Sequence, residues 1–484
     1  MNASGVPVDC GLPDEEPDAR AVAFKSLGCR VNFEEIECLR GRFVDAGWRS
    51  VDFDQAADLY VINTCTVTGL ADAESRKTVR RAVRRKRAGG LVVVTGCYAQ
   101  RDPEALAALD GVDLVLGNKE KGQLFDHVER FRLDRRLAGE IWVDSEPTTE
   151  SFLSHGSARG HGEQGSLRTR ATLKIQDGCD ERCTYCIIPT VRGASVSRPL
   201  ENVTGEARHL QRSGYRELAL TGVNTGSWGR DFARTGRGDA TSLATLVREL
   251  QHVGDTRMRF RLNSLEPDTV TDELLDAIEA SPAFARHFHV PLQHGDSAML
   301  RRMGRNYDAA MYADTIRRIH ARFPEASIGA DVMVGFPGED EDRFLSGRDL
   351  IQSLPLTYLH VFTYSQREGT AATRMPDHVA EDVKRARSQD LHRLEDDLRR
   401  VFLADRSGSE ELLLVEGKRG PRGGLTGLTG NYIRCELPVD CDASENEFVH
   451  VTIEDRGDPR LAGATPVASP NGCLDVSKSF SQRL

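Results

Sequence analysis

The chain has 484 residues, a net charge of −10, 29% charged residues and eleven cysteines. That length predicts two to four domains, and no run comes near the roughly 20 apolar residues that a membrane helix requires. The acidic, proline-containing start CGLPDEEPDAR lacks the layout of a secretory signal. The expected setting is therefore the cytoplasm, with no membrane partner, where reduced thiols more often bind metal or catalyse than form disulfides.

Residues 1–20 are acidic and short of aromatics, and read as a disordered tail. From Val22, short apolar strands alternate with helices: VAFKSLG, a helix from Glu34 to Ala46, DLYVINT, a basic helix, LVVVTG, a helix after Pro103, and DLVLGN. This alternation predicts an α/β domain over residues 21–144 with a parallel sheet and covering helices. Cys29, Cys65 and Cys97 each follow a strand. Carboxyl ends of parallel strands gather ligands, so three cysteines far apart in sequence are expected to converge as metal ligands. The basic helix, Arg76 to Arg87, carries eight Lys or Arg in twelve positions. Its exposed cations, Arg80, Arg81, Arg84 and Arg85, are candidates for tracking nucleic-acid phosphates.

Residues 145–167 lose apolar periodicity and read as a linker, in which His155 and His161 are not expected to be ligands. Over 168–400, strands at ATLKIQ, ELALTG, MRFRLNS, HFHVPLQ, SIGADVMVGF and YLHVFTYS alternate with helices, giving six strand-helix units. Six units predict a partial barrel, open at one side, whose active rim is again the carboxyl ends of its strands. On that rim, after the first strand, comes DGCDERCTYCIIPT, with Cys179, Cys183 and Cys186 in CxxxCxxC spacing. A one-loop zinc site would close its tetrahedron with a fourth Cys or His, and none lies near. A four-iron cube held by three cysteines keeps one iron open to a further ligand.

After a charged helix from Glu381 to Arg406, the pattern changes to short strands and turns, and residues 404–456 fit a small all-β barrel of five strands. The glycines of GKRGPRGGLTGLTG read as turn residues, with Lys418, Arg419 and Arg422 as further candidate RNA contacts. Residues 457–484 read as a tail. Cys10, Cys38, Cys435, Cys441 and Cys473 have no partner at ligand spacing and read as ordinary thiols.

The spacing CxxxCxxC, with Tyr185 before the last cysteine and the loop on the first barrel strand, resembles the radical S-adenosylmethionine superfamily. The motifs LGCRVNFEE, VINTCTVT, VTGCYAQ, QDGCDERCTYCIIPTVRG, HFHVPLQHGDSAMLRRMGRNY and DVMVGFPGE further resemble the methylthiotransferase family, from about Val22 to Asp455. LGCRVN, LKIQDGC and LHVFTYSQREGTAATRM are most similar to the branch that acts on threonylcarbamoyladenosine beside the tRNA anticodon. The resemblance implies two 4Fe-4S clusters and S-adenosylmethionine. One cluster, on Cys179, Cys183 and Cys186, would bind S-adenosylmethionine and cleave it to a 5′-deoxyadenosyl radical. The other, on Cys29, Cys65 and Cys97, would carry the sulfur that is methylated and inserted at adenine carbon 2.

The same resemblance implies that Tyr185 lies against the adenine of the cofactor, and that Gly222, Arg261, Ser264, Glu266 and Gln293 hold its ribose and methionine parts. It further implies a substrate-gripping TRAM domain at the C-terminus, whose removal from about Ser407 onward would weaken RNA binding and spare cofactor cleavage. A tRNA anticodon stem-loop and an electron donor such as flavodoxin or ferredoxin are the implied partners, and the sulfur donor is left open. Arg192, Arg198, Asn224 and Arg367 are candidate partners for the polar threonylcarbamoyl group. Alternative readings are a sister enzyme acting on isopentenyladenosine or on a ribosomal-protein aspartate, and a non-catalytic zinc-dependent RNA-binding protein.

Overall fold

The computed structural model describes residues 19–134, 139–149, 151–157, 169–253 and 258–467, so His161 and most of both expected tails lie outside the described residues. The first domain runs β1 (Ala21–Ser26), α1 (Arg30–Asp45), β2 (Arg49–Val51), β3 (Leu59–Thr64), α2 (Gly69–Arg85), β4 (Leu91–Gly96), α3 (Cys97–Arg101), α4 (Pro103–Ala107), β5 (Leu114–Leu116), α5 (Leu124–Asp134) and β6 (Glu140–Trp142). Its six strands form one parallel sheet in the order β2-β1-β3-β4-β5-β6. Both faces are covered, and the strands read as nearly unbroken apolar runs because both faces are buried. The helix expected from Glu34 starts one turn earlier, at Arg30, which puts Cys29 at its N-cap.

The second domain runs β7 (Arg170–Lys174), β8 (Gln176–Asp177), α6 (Ile188–Arg192), β9 (Val196–Ser197), α7 (Leu200–Arg212), β10 (Glu217–Thr221), α8 (Phe232–Thr235), α9 (Leu243–Leu250), β11 (Arg259–Leu262), α10 (Asp272–Glu279), β12 (His287–His289), α11 (Ser297–Arg302), α12 (Ala309–Arg322), β13 (Ser327–Val334), α13 (Glu341–Ser353), β14 (Tyr358–Thr363) and α14 (Glu381–Arg406). The six barrel strands pair as two parallel three-stranded sheets, β7-β10-β11 and β12-β13-β14. The sheets touch through a single parallel bridge between Phe260 and Phe284. The arc stays open between β7 and β14, as six units require, and one continuous apolar core lies between strands and helices.

The last domain is a closed barrel of β15 (Glu410–Arg419), β16 (Leu425–Thr429), β17 (Arg434–Glu436), β18 (Phe448–Glu454) and β19 (Ala462–Pro466), in the order β15-β16-β17-β19-β18. Two expectations are corrected. The fifth strand lies beyond residue 456, so residues 457–466 belong to the barrel and not to a tail. The domain is also not a detachable module, because it is docked into the lumen of the second domain. Arg259 donates to the carbonyls of Leu412 and Leu428, and Arg261 to those of Thr429 and Gly430. Glu217 neutralises both guanidiniums from β10 at 2.5 and 3.0 Å. Tyr432, whose backbone is left-handed at φ 68°, stacks on His287 with ring centroids 4.3 Å apart. Removal from Ser407 onward would strip Arg259 and Arg261 of these acceptors, so truncation is expected to disturb the barrel as well as RNA binding.

Candidate active site

β1, β3 and β4 are neighbours in the first sheet, and their ends are level: Ser26 pairs with Asn63, and Thr64 with Gly96. Cys29, Cys65 and Cys97 therefore leave the sheet side by side. Gly28 makes this possible, since at φ 86° its missing Cβ would lie 2.5 Å from Cys65 Sγ. Burial pushes the Cys65 thiol up to about 11, with Cys97 and Cys29 adding to the shift. The three thiols are thus within electrostatic reach of one another. Three soft sulfur donors at one sheet edge suit an iron–sulfur cluster, and the charge of Arg192 acts on both Cys97 and Cys29.

The cysteine loop of the second domain faces this edge. Cys97 packs against Ile187, which follows Cys186 directly in the chain, and against Val191 of α6. Asn118 bridges the two domains, donating to the Val191 carbonyl at 2.7 Å and lying 3.9 Å from Cys97 Sγ. The segment after the cysteine loop therefore packs on one cysteine of the first triad across the domain interface. In the loop, Arg305 donates to Cys183 Sγ at 3.0 Å, and the Ile188 amide to Cys186 Sγ at 3.4 Å. Burial pushes Cys179 up to about 12 and Cys186 to about 11. Buried thiols ionise when a metal takes the proton's place, which is the condition a cluster meets.

Around this loop, Tyr185 sits edge-on to Phe336, and Glu266 pairs with Arg305. Burial raises Glu266 to about 7 against the pull of Arg305. Ser264 and Gln293 both carry left-handed backbone, φ 55° and 65°, a strain that marks rim positions held for a purpose. Gly222 lies against Gln176, whose Oε1 accepts from the Asn224 amide at 2.9 Å. Arg305 was missed by sequence reasoning, although it stands in the quoted run RRMGRNY.

The model of the uncharacterized protein family UPF0004 matches residues 21–117, and that of the Radical SAM superfamily matches residues 173–351. The threonylcarbamoyladenosine tRNA methylthiotransferase MtaB of Bacillus subtilis strain 168 is 38% identical over 387 residues, covering 79% of this chain and 81% of the relative. The chain belongs to the MtaB family of methylthiotransferases. Its namesake in Aquifex aeolicus is 35% identical over 417 residues, covering 85% of this chain and 95% of that one. The tRNA-2-methylthio-N(6)-dimethylallyladenosine synthase of Staphylococcus haemolyticus is 30% identical over 379 residues, covering 77% and 71%. Among solved structures, the radical S-adenosylmethionine methyltransferase TsrM of Kitasatospora setae, with cobalamin and a 4Fe-4S cluster bound, superposes with a TM-score of 0.54 at 16% identity, over 73% of this chain and 77% of that one. That likeness concerns the fold alone. MtaB-family enzymes use S-adenosylmethionine and two 4Fe-4S clusters.

Several charged residues serve this MtaB-family fold differently from expectation. Arg261 is not at the rim but buried in the lumen, spent on Glu217 and the C-terminal barrel. Arg192 is buried between Asp177 at 2.9 Å, Glu35 at 3.0 Å and Asn32 at 2.5 Å. Lys174 and Lys121 complete that network on Glu35, joining α1 to the start of the second domain. Arg198 is bound to Glu206 at 3.3 Å, and Arg367 to Asp72 at 2.6 Å and to Thr66. Arg192 and Arg367 join the first two domains, Arg198 ties α7 to the connecting segment through the Leu153 carbonyl and Ser154, and none of the three is presented to a substrate. Asn224 is buried, and its Oδ1 has no partner among the described residues.

The basic helix is also divided. Arg81 and Arg85 both pair with Asp54, whereas Arg80 and Arg84 are exposed and have no ion-pair partner among the described residues. Lys418 and Arg419 line a cavity of about 1050 Å³ enclosed by α1, β7, α14 and the C-terminal barrel, with Arg30 on the opposite wall. Arg422 is exposed and lies outside that lining, with its backbone amide on Glu436. Replacing Arg80 and Arg84 together with Gln is expected to weaken RNA binding and lower the salt slope by about two. Replacing Arg81 and Arg85 is expected to change it less, because Asp54 already screens them. Titrations of binding at several salt concentrations separate the two pairs.

Among the described residues, no helix is long and apolar enough to cross a membrane.

Proposed function

We propose that this chain converts N6-threonylcarbamoyladenosine, next to the anticodon of tRNA, to its 2-methylthio form, and that Cys179, Cys183 and Cys186 hold one cluster and Cys29, Cys65 and Cys97 the other. When bound, the clusters and S-adenosylmethionine supply the radical and the methylthio group. The observation that carries the reading is the packing of Cys97 on Ile187 and Val191. It supports a reading in which the two triads serve one interface, where a base would be admitted between them.

The chain's own residues do the positioning. Arg305 fixes Cys183 and Glu266 together, and Tyr185 closes the loop against Phe336. Gly222 keeps that stretch of rim free of a side chain, while Ser264 and Gln293 turn backbone groups by their left-handed geometry. With Arg192, Arg198 and Arg367 engaged elsewhere, partners for the threonylcarbamoyl carboxylate come from Arg30, His289 and His360. Arg30 donates to Asn263 at 3.1 Å and Tyr432 at 3.4 Å, both neutral acceptors. His289 and His360 flank Asp331 at 3.0 and 3.2 Å on adjacent strands. An apolar isopentenyl group offers these groups no acceptor, so a site built around them favours the polar substituent. Phosphates of the stem-loop would lie along Arg80 and Arg84 and at Lys418, Arg419 and Arg422. An electron donor of the flavodoxin or ferredoxin class would reduce the cluster.

The test uses anaerobically reconstituted protein, S-adenosylmethionine and a chemical reductant with two tRNAs, one carrying threonylcarbamoyladenosine and one isopentenyladenosine. Nucleoside mass spectrometry should show the methylthio product with the first. Product with the second alone would refute the assignment.

A further inference from the structure

Cys38 and His155 lie 117 residues apart in sequence, one on α1 and one on the connecting segment, and the fold brings them together. Cys38 Sγ lies 3.3 Å from Glu34 Oε1 and 3.6 Å from His155 Nδ1, and His155 Nδ1 lies 3.0 Å from Glu206 Oε1 on α7. Glu34 and Cys38 are at most 1% exposed, and the side chains of His155 and Glu206 are 8% and 6% exposed. The connecting segment is firmly seated. A Cβ on Gly41 would meet the Gly156 amide nitrogen at 2.4 Å, His209 Nε2 bonds the Gly156 carbonyl at 2.9 Å, and the Ser157 amide donates to Asp45 at 3.0 Å.

Hydrogen bonds alone do not complete this cluster. The Cys38 thiol donates to Glu34 and the His155 Nδ1 hydrogen to Glu206, and Glu34 Oε2 is left buried with no partner among the described residues. A fully buried, unpartnered carboxylate oxygen is costly unless a cation faces it.

We propose that Glu34, Cys38 and His155, whose ligand atoms lie within 4.8 Å of one another, bind one zinc ion that clamps α1 to the connecting segment, which Glu206 in turn ties to α7 by accepting from the His155 amide at 2.8 Å. One sulfur, one nitrogen and one oxygen form a three-ligand set of the kind zinc accepts, with Zn–S near about 2.3 Å and Zn–N or Zn–O near about 2.0–2.1 Å. Those bond lengths give ligand separations of about 3.6 Å from sulfur, beside the observed 3.6 Å to His155 Nδ1 and 3.3 Å to Glu34 Oε1. Charge balances as well. A thiolate and one carboxylate offset the double charge of the ion, while Glu206 is paired with Arg198 at 3.3 Å. The role is positional: Cys29 caps α1, so a clamp on the second and third turns of that helix fixes the cysteine relative to the second domain, where α7 sits.

The experiment is elemental analysis of the full chain, anaerobically reconstituted with iron and sulfide and then given one equivalent of zinc, followed by zinc-edge X-ray absorption. About one zinc should be retained beside about eight irons, with one sulfur and otherwise nitrogen and oxygen around it. Cys38→Ala and His155→Ala should each lower retained zinc at least tenfold while iron stays unchanged. Zinc that fails to bind the wild-type chain, zinc retained by both variants, or three or more sulfurs around it would each overturn the proposal. The last result would place the ion on the cluster cysteines. Iron content and cleavage of S-adenosylmethionine report on the clusters separately, so loss of this site is distinguishable from loss of the proposed activity.

Discussion

Cys183→Ala should abolish reductive cleavage of S-adenosylmethionine, whereas Cys65→Ala should leave that cleavage in place and abolish only the methylthio product. The difference follows from the two triads being built on different domains. Cys183 stands in the loop after β7 and is held by Arg305 at 3.0 Å, next to the rim residues Tyr185 and Glu266. Its loss leaves two thiolates, too few to hold the cube firmly. Cys65 ends β3 in the other domain, where its neighbours are Cys29 and Cys97. Release of 5′-deoxyadenosine, measured by chromatography, should fall to background in the first variant and stay within a few-fold of wild type in the second. Equal loss in both would show that the triads do not serve separate clusters.

Arg192→Ala should be among the most destabilising single changes in the chain. The guanidinium is buried and bonds Asp177, Glu35 and Asn32 at once. Its positive charge and those of Lys121 and Lys174 hold the carboxyls of Glu35 and Asp177 below the usual carboxylate range against the opposing effect of burial. Removing one partner of such a buried network leaves uncompensated charge and costs about 3–5 kcal/mol. The expected reading is a lower urea midpoint, with Arg192→Lys intermediate because it keeps the charge and loses the fork of donors. The acid limb follows from the same residues. Their folded pKa values are depressed, so their contribution is present above the ordinary carboxylate pKa and is lost as pH falls through the folded values. A midpoint unchanged in Arg192→Ala would mean that the domains are held by other contacts.

What the sequence disclosed was mostly what neighbours in the chain decide. Cys29, Cys65 and Cys97 were legible as a set because each ends a strand, and Cys179, Cys183 and Cys186 because one loop carries them all. The six barrel strands were legible from apolar runs of the right length. β19, with the sequence AGATP, has too little apolar pattern to announce a strand, and it forms by pairing with β17 and β18. Arg192, Arg198, Arg261 and Arg367 were misread for a common reason. Arginine in a rim segment looks available to a ligand, and only the folded contacts, with another domain for Arg192, Arg261 and Arg367 and with α7 for Arg198, show the carboxylate or carbonyl that already holds it. Cys38 and His155 failed the test of ligand spacing because their proximity depends on the path of a connecting segment that has no periodicity of its own.

The most direct measurement is mass spectrometry of tRNA nucleosides from a strain deleted for this chain. The account predicts loss of 2-methylthio-N6-threonylcarbamoyladenosine, accumulation of its unmethylthiolated precursor, and restoration by the wild-type chain but not by Cys65→Ala. Persistence of that nucleoside, with loss of the methylthio-isopentenyl one instead, would contradict it.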